Sequence, residues 1–198
     1  MDAECFGHQV VKKMRQIDKR VVWEGNFLRM VVVVYEDCHG EKRNWEAVER
    51  VNCSGIVVIV PITEQNELLL VRQFRPAMNN FVIEFPSGLN DRDELLVDVA
   101  RRELIEETGY MSNEVILLAE GPVSSGITTE ILSAFLAKNA SPALPELRKR
   151  YPCEVTEEIE LIKTSFSAVS NLLGLFQNKG DHVDLKMHGL IELAKKKL

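Results

Sequence analysis

The stretch Gly88–Tyr110, GLNDRDELLVDVARRELIEETGY, decides how this chain is read. It has the form G-x5-E-x7-R-E-U-x-E-E-x-G-U, where U is apolar. Gly88, Glu94, Arg102, Glu103, Leu104, Glu106, Glu107, Gly109 and Tyr110 fill the specified positions. Seven of these positions demand a single residue type, which ordinary composition does not supply by chance. Asp91-x-x-Glu94 reads as a helix-capping signal and Gly109 as a helix stop. One helix of about four turns is expected between them. Its apolar stripe runs through Leu96, Val99, Ala100 and Leu104.

At about 100° per residue, Glu103 and Glu107 fall in the middle of that stripe and Glu106 at its edge. Carboxylates on an apolar face are costly unless something neutralises them. A hard divalent cation does so, and Mg²⁺ takes carboxylate oxygens while keeping several waters. The bland alternative is a solvated charged face. The phase opposes it, because Arg101, Asp98 and Glu94 already supply the exposed side. Arg102 lies about 120° from the stripe centre, beside Glu106. It reads as a residue that orients metal-binding carboxylates rather than as a phosphate ligand.

Bulk properties fit a compact enzyme. The chain has 198 residues, 45% hydrophobic content and a net charge of -6, enough for one sizeable core and against a broad nucleic-acid surface. Cys5, Cys38, Cys53 and Cys153 show no metal-ligand spacing, so free thiols in a reducing compartment are expected. The N-terminus lacks a signal-peptide pattern, and no apolar run is long enough to cross a bilayer. A cytoplasmic protein is expected, with access to the nucleus if the source is eukaryotic.

Two domains are expected: residues 1–53, a β-rich unit, and 54–198, the main domain. In the first, Phe27–Glu36 and Lys42–Val51 read as a hairpin around the turn Cys38–Glu41. Such a hairpin holds no core alone, so it must pack on the rest of the chain or on a second subunit. In the second, Ile56–Ile62, Glu67–Phe74, Phe81–Phe85, Val115–Ala119, Ile131–Lys138 and Glu157–Thr164 read as strands. Ser167–Gln177 and Asp184–Lys197 read as helices. Ser141–Pro152 reads as a loop over the site. The mixture suggests an α/β fold, an α/β/α sandwich with a β-rich N-terminal hairpin unit.

The spacing in Gly88–Tyr110 is that of the Nudix box, and the stretch resembles the signature of hydrolases that cleave a diphosphate linked to another moiety. Val71–Leu89, VRQFRPAMNNFVIEFPSGL, and Arg43–Val51, RNWEAVERV, are similar to the corresponding stretches of ADP-ribose (ADP-sugar) pyrophosphatases. The resemblance covers roughly residues 27–133 and weakens after Ser141. It implies the same sandwich and hydrolysis of ADP-ribose or a related nucleotide-sugar to AMP and a sugar phosphate. It also implies Mg²⁺, with Mn²⁺ as a substitute, and a homodimer that exchanges its N-terminal unit. Other diphosphates stay open, among them UDP- or GDP-sugars, NADH and dinucleoside polyphosphates, as does a non-catalytic nucleotide sensor.

The resemblance also assigns residues. Ser87 would lend its backbone carbonyl to the metal beside Glu103, Glu106 and Glu107. Trp45 and Phe27 would sandwich the adenine, one from each subunit, with Phe27 standing where the resembling enzymes often have Trp. The alternative for each is ordinary strand packing. Arg50 and Arg75 match arginines that hold the diphosphate or terminal sugar; the alternative is a surface ion pair. Glu84 either pairs with Arg102 or contacts the terminal ribose, and the resemblance favours the ribose. Leu89 and Gly126 also match substrate-contact positions. Ser125 replaces the proline of the usual Pro-Gly pair, so a less rigid loop is expected. Glu130 is a candidate support for that loop or for the metal network. The general base is expected outside the box, in Cys153–Glu160: Glu157 first, with Glu158 and Glu154 behind it.

Overall fold

A computed structural model describes residues 13–153 and 158–198. The chain divides into two compact units. Among the described residues, one comprises those up to Asn52 together with Pro122–Glu130, and the other those of Cys53–Gly121 and Ile131–Leu198.

The first unit is a three-stranded antiparallel sheet of β1 (Arg15–Glu24), β2 (Leu28–Glu36) and β3 (Lys42–Arg50), in that order. The expected hairpin is β2 and β3. Phe27 lies in the bend before β2 rather than in the strand. The sequence does not mark the extra strand, because half of RQIDKRVVWE is charged and the strand is almost wholly exposed, so it has no buried face to set a period of two. Glu49 ties the sheet together, its buried carboxylate accepting from Lys19 Nζ at 2.7 Å on β1 and Arg29 Nη2 at 2.8 Å on β2. The segment 122–130 is bonded to β3: Val48 N–H donates to the Ile127 carbonyl at 2.8 Å, and Thr129 N–H to that of Val48 at 3.3 Å.

The second unit opens with β4 (Ile56–Thr63), β5 (Glu67–Arg75), β6 (Asn80–Glu84) and β7 (Ser87–Leu89), followed by α1 (Leu96–Thr108). Then come β8 (Tyr110–Met111), β9 (Glu114–Pro122), β10 (Ile131–Pro142), α2 (Pro145–Arg150), β11 (Ile159–Ser165), α3 (Val169–Asn178), β12 (His182–Val183) and α4 (Lys186–Lys195). Expected strands and helices are found within a few residues of their expected ends. The loop expected at Ser141–Pro152 is corrected: its start continues β10 and its middle is α2. Pro145 starts that helix instead of breaking it, since the first turn needs no proline N–H.

Both faces of the sheet are covered, and the run IVVIVPI shows why. Successive side chains of β4 point to opposite faces. Val57 and Ile59 pack with Val99, Ala100 and Leu104 of α1. Val58, Val60 and Ile62 pack with Val169 and Leu173 of α3 and with Met187, Leu190, Ile191 and Ala194 of α4. β10, parallel to β4, repeats the alternation with Phe135 and Ala137 against Ala134 and Leu136. The unit is an α/β/α sandwich with α1 on one face and α3 and α4 on the other. Among the described residues, no helix is long and apolar enough to cross a membrane.

Arg72 on β5 fastens the loop after α3. It grips Asp181 with two hydrogen bonds, Nε at 2.7 Å and Nη2 at 3.1 Å, while its guanidinium lies 3.8 Å from the centre of the Phe81 ring. The Arg72 hydrogen bond and charge, opposed by burial, hold the Asp181 carboxyl below its ordinary range. A depressed folded-state pKa adds stability that is complete above the unfolded value and is lost as pH falls toward the folded one. Asp181→Asn should therefore cost about 1–2 kcal/mol at pH 7 in urea unfolding. The deficit should shrink once pH drops below the ordinary aspartate range.

Candidate active site on the box helix

The box helix stands where its spacing placed it, but its N-terminus is built differently. α1 begins after Leu95, which makes no side-chain cap, and Asp91 and Glu94 do not cap it. Asn90 does the local work instead. Its Oδ1 accepts from Glu94 N–H at 2.9 Å and its Nδ2 donates to the Glu94 carbonyl at 2.7 Å. A side chain with both donor and acceptor can close that loop; Asp91 has only acceptors. At the other end Gly109 stops the helix in the left-handed conformation, φ 70°, its N–H reaching the Ile105 carbonyl.

Glu103 and Glu107 are buried, Glu106 is partly exposed, and Arg102 is buried with them. The Arg102 guanidinium is the hub. Its Nη1 donates to Glu103 at 2.7 Å and to Glu106 at 2.9 Å, its Nε to Glu94 at 3.2 Å and its Nη2 to the Leu89 carbonyl at 3.2 Å. Burial pulls its pKa down, but the charges of Glu103 and Glu106 outweigh that and hold it above its ordinary value. Arg102 thus contacts the box carboxylates directly.

The second wall is β7. Ser87 N–H donates to Glu107 at 3.1 Å. Gly88 lies so close to Glu103 that a methyl group there would fall on the Glu103 carboxyl carbon. Only glycine leaves that carboxylate its place. β7 itself is held by β4, with Ser87 opposite Val58 and Gly88 opposite Val57.

Among the described residues, no three Asp, Glu, His or Cys side chains converge closely enough to hold a divalent cation. Glu103 and Glu106 bond to Arg102, and Glu107 bonds to the backbone of β7. The donor chemistry does fit: hard carboxylate oxygens outnumber the guanidinium that faces them, and the Gly88 cradle keeps Glu103 against the β7 backbone.

The other expected residues fall into place unit by unit. In the second unit, Arg75 Nε donates to Glu84 at 2.6 Å. The partner of Glu84 is thus Arg75 and not Arg102, which the box carboxylates already occupy. Leu89 contributes its carbonyl to Arg102. Glu158 is exposed, whereas Glu157 and Glu154 lie outside the described residues. In the first unit, Trp45 is half exposed and its indole N–H donates to the Gly126 carbonyl at 3.1 Å; Phe27 is 77% exposed. Arg50 Nε donates to Glu130 at 2.7 Å. Glu130 therefore supports Arg50, a pairing that a separation of 80 residues hid from the sequence. Gln73 is buried on β5, and nothing in an apolar strand marks one glutamine as special.

The NUDIX domain profile matches residues 54–170. An ADP-ribose pyrophosphatase of Bacillus subtilis is 29% identical over 147 residues, which are 74% of this chain and 77% of the relative. An ADP-sugar pyrophosphatase of Mus musculus is 27% identical over 184 residues, 87% of this chain and 84% of the relative. A solved structure described as an ADP compounds hydrolase superposes with a TM-score of 0.76 at 19% identity, covering 96% of this chain and 97% of that one. At that identity the likeness concerns the fold.

Removing the hub should be costly. Arg102→Met leaves Glu103, Glu106 and Glu94 without their shared cation, and should cost about 3–5 kcal/mol by urea unfolding at pH 7 without added metal. A loss under about 1 kcal/mol would mean that the network has the strength of a surface pair.

Proposed function

We propose that this chain, which belongs to the Nudix family, hydrolyses the diphosphate of ADP-ribose and related ADP-sugars to AMP and a sugar phosphate. The observation that carries the proposal is the complete box, with Glu103 and Glu107 buried against β7 and Arg102 bonded to Glu103 and Glu106. The names of two relatives that match 74% and 87% of the chain support the choice of nucleotide-sugar.

The donors proposed for a divalent metal are Glu103, Glu106, Glu107 and the Ser87 carbonyl. Mg²⁺ is the preferred ion and Mn²⁺ the substitute. Once bound, the ion would neutralise diphosphate oxygens and lower the pKa of a bound water. The remaining work belongs to side chains. Arg102 orients the carboxylates. Arg50 and Arg75 offer planar guanidinium groups to the phosphates, and each is held by an acidic partner, Glu130 and Glu84 respectively. Trp45 and Phe27 offer exposed aromatic faces to adenine, and base stacking is worth about 1–3 kcal/mol. Glu157, or Glu158 in its stead, takes the proton from the attacking water. The water oxygen bonds to one phosphorus, and the bridging P–O bond breaks.

The reading extends to assembly and location. Val21, Val22 and Trp23 on β1, with Phe27 in the bend that follows, leave apolar surface exposed beside a thin sheet. A second copy of the chain is the proposed cover. Cys38 and Cys53 are free thiols, which supports a reducing compartment such as the cytoplasm. Nothing in the acidic net charge invites nucleic acid.

Product analysis tests the proposal. With Mg²⁺, ADP-ribose should yield AMP and ribose 5-phosphate, faster than UDP-glucose or GDP-mannose yields its own products. Glu107→Gln should lower the rate by roughly 100-fold or more. Preference for a pyrimidine or guanine nucleotide-sugar, or full activity in Glu107→Gln, would contradict it.

A further inference from the structure

Gln73 is 6% exposed, and its side-chain oxygen accepts no hydrogen bond among the described residues. Leaving a buried carboxamide oxygen unbonded forfeits its hydration with nothing in return, so such a group calls for an explanation. Its place in the sheet offers one. On β5 and β6, Val71 stands opposite Glu84, Gln73 opposite Val82 and Arg75 opposite Asn80. Directly opposed residues share a face and side chains alternate. Gln73, Arg75 and Glu84 therefore lie on one face, opposite to the one that Leu68, Leu70, Ile83 and Phe85 bury beneath α3 and α4. Gln73 and Glu84 are diagonal neighbours, within reach of long side chains. Arg75 must extend back along β6, past Val82, to reach Glu84 at 2.6 Å, so its span passes beside Gln73.

We propose that Gln73 is a specificity-determining residue, whose carboxamide oxygen accepts a hydrogen bond from a hydroxyl group of the substrate's terminal sugar. The inference rests on the ADP-sugar reading above. A carboxylate, a guanidinium and an uncommitted carboxamide oxygen on one face suit a vicinal diol, whose hydroxyl groups each donate and accept. A site built to hydrogen-bond a hydroxyl discriminates against a substrate lacking it, because its buried polar group is then left unpaired. The cost of burying Gln73 in the free protein is the counterpart of that selectivity.

The test uses the intact chain with Mg²⁺, the variant Gln73→Met, and two substrates. One is ADP-ribose; the other is ADP β-methyl ester, which has the same diphosphate but no terminal sugar. Gln73→Met should lower kcat/KM for ADP-ribose about tenfold, mainly through KM, and leave the methyl ester within about twofold. Its thermal midpoint should stay level or rise, because an unbonded polar group has been replaced by an apolar one of similar shape. Equal losses on both substrates, no loss on ADP-ribose, or a lower midpoint would overturn the inference. If the unaltered protein hydrolysed neither compound, the parent reading would fall and this inference with it.

Discussion

One buried guanidinium hydrogen-bonded to three carboxylates is the constraint on which the second unit is organised. Arg102 cannot give up its proton, and each of Glu94, Glu103 and Glu106 loses its cation if it leaves. Such a cluster inside a fold is a poor source of net stability, since desolvation offsets most of the attraction. Its worth is geometric. It sets the box carboxylates at defined positions on a helix whose opposite ends are fixed by Asn90 and Gly109.

The rest of the unit supplies the rigid background for that cluster. β4 is buried on both faces, holding α1 on one and α3 and α4 on the other. β7 hangs on β4 by three opposed residues, Ser87, Gly88 and Leu89. The register brings the Gly88 backbone against Glu103 and the Ser87 N–H against Glu107. A slip of one residue would take the Gly88 backbone away from Glu103, so the β4–β7 register also specifies the wall that faces the box carboxylates. The first unit shows the same economy on a smaller scale: β3 carries Trp45 and Arg50, and segment 122–130 brings Gly126 and Glu130 to them.

What was legible in the chain was whatever has a period or a fixed spacing. The box helix, the three glutamates, Gly109 and the doubly buried β4 all follow from local pattern. β1 was not legible because charge on both sides erases the period that marks a strand. α2 was not, because a proline that opens a helix looks like one that ends it. The partners of Arg50, Arg75 and Arg102 depend on register and turns. Arg75 meets Glu84 because a 3-10 turn at Pro76–Met78 and a left-handed Asn79 fold β6 back on β5. The expected base, Glu157, lies outside the described residues, so its assignment still rests on the resemblance alone.

The central claim is that the buried glutamates of α1 form the seat of a hard divalent cation. Direct titration of the metal-free protein with Mn²⁺, followed by electron paramagnetic resonance of the unbound ion, tests it without reference to any substrate. The account predicts saturable binding that is lost in the double variant Glu103→Gln/Glu107→Gln, while circular dichroism shows the fold retained. Undiminished Mn²⁺ binding by that folded variant would contradict it.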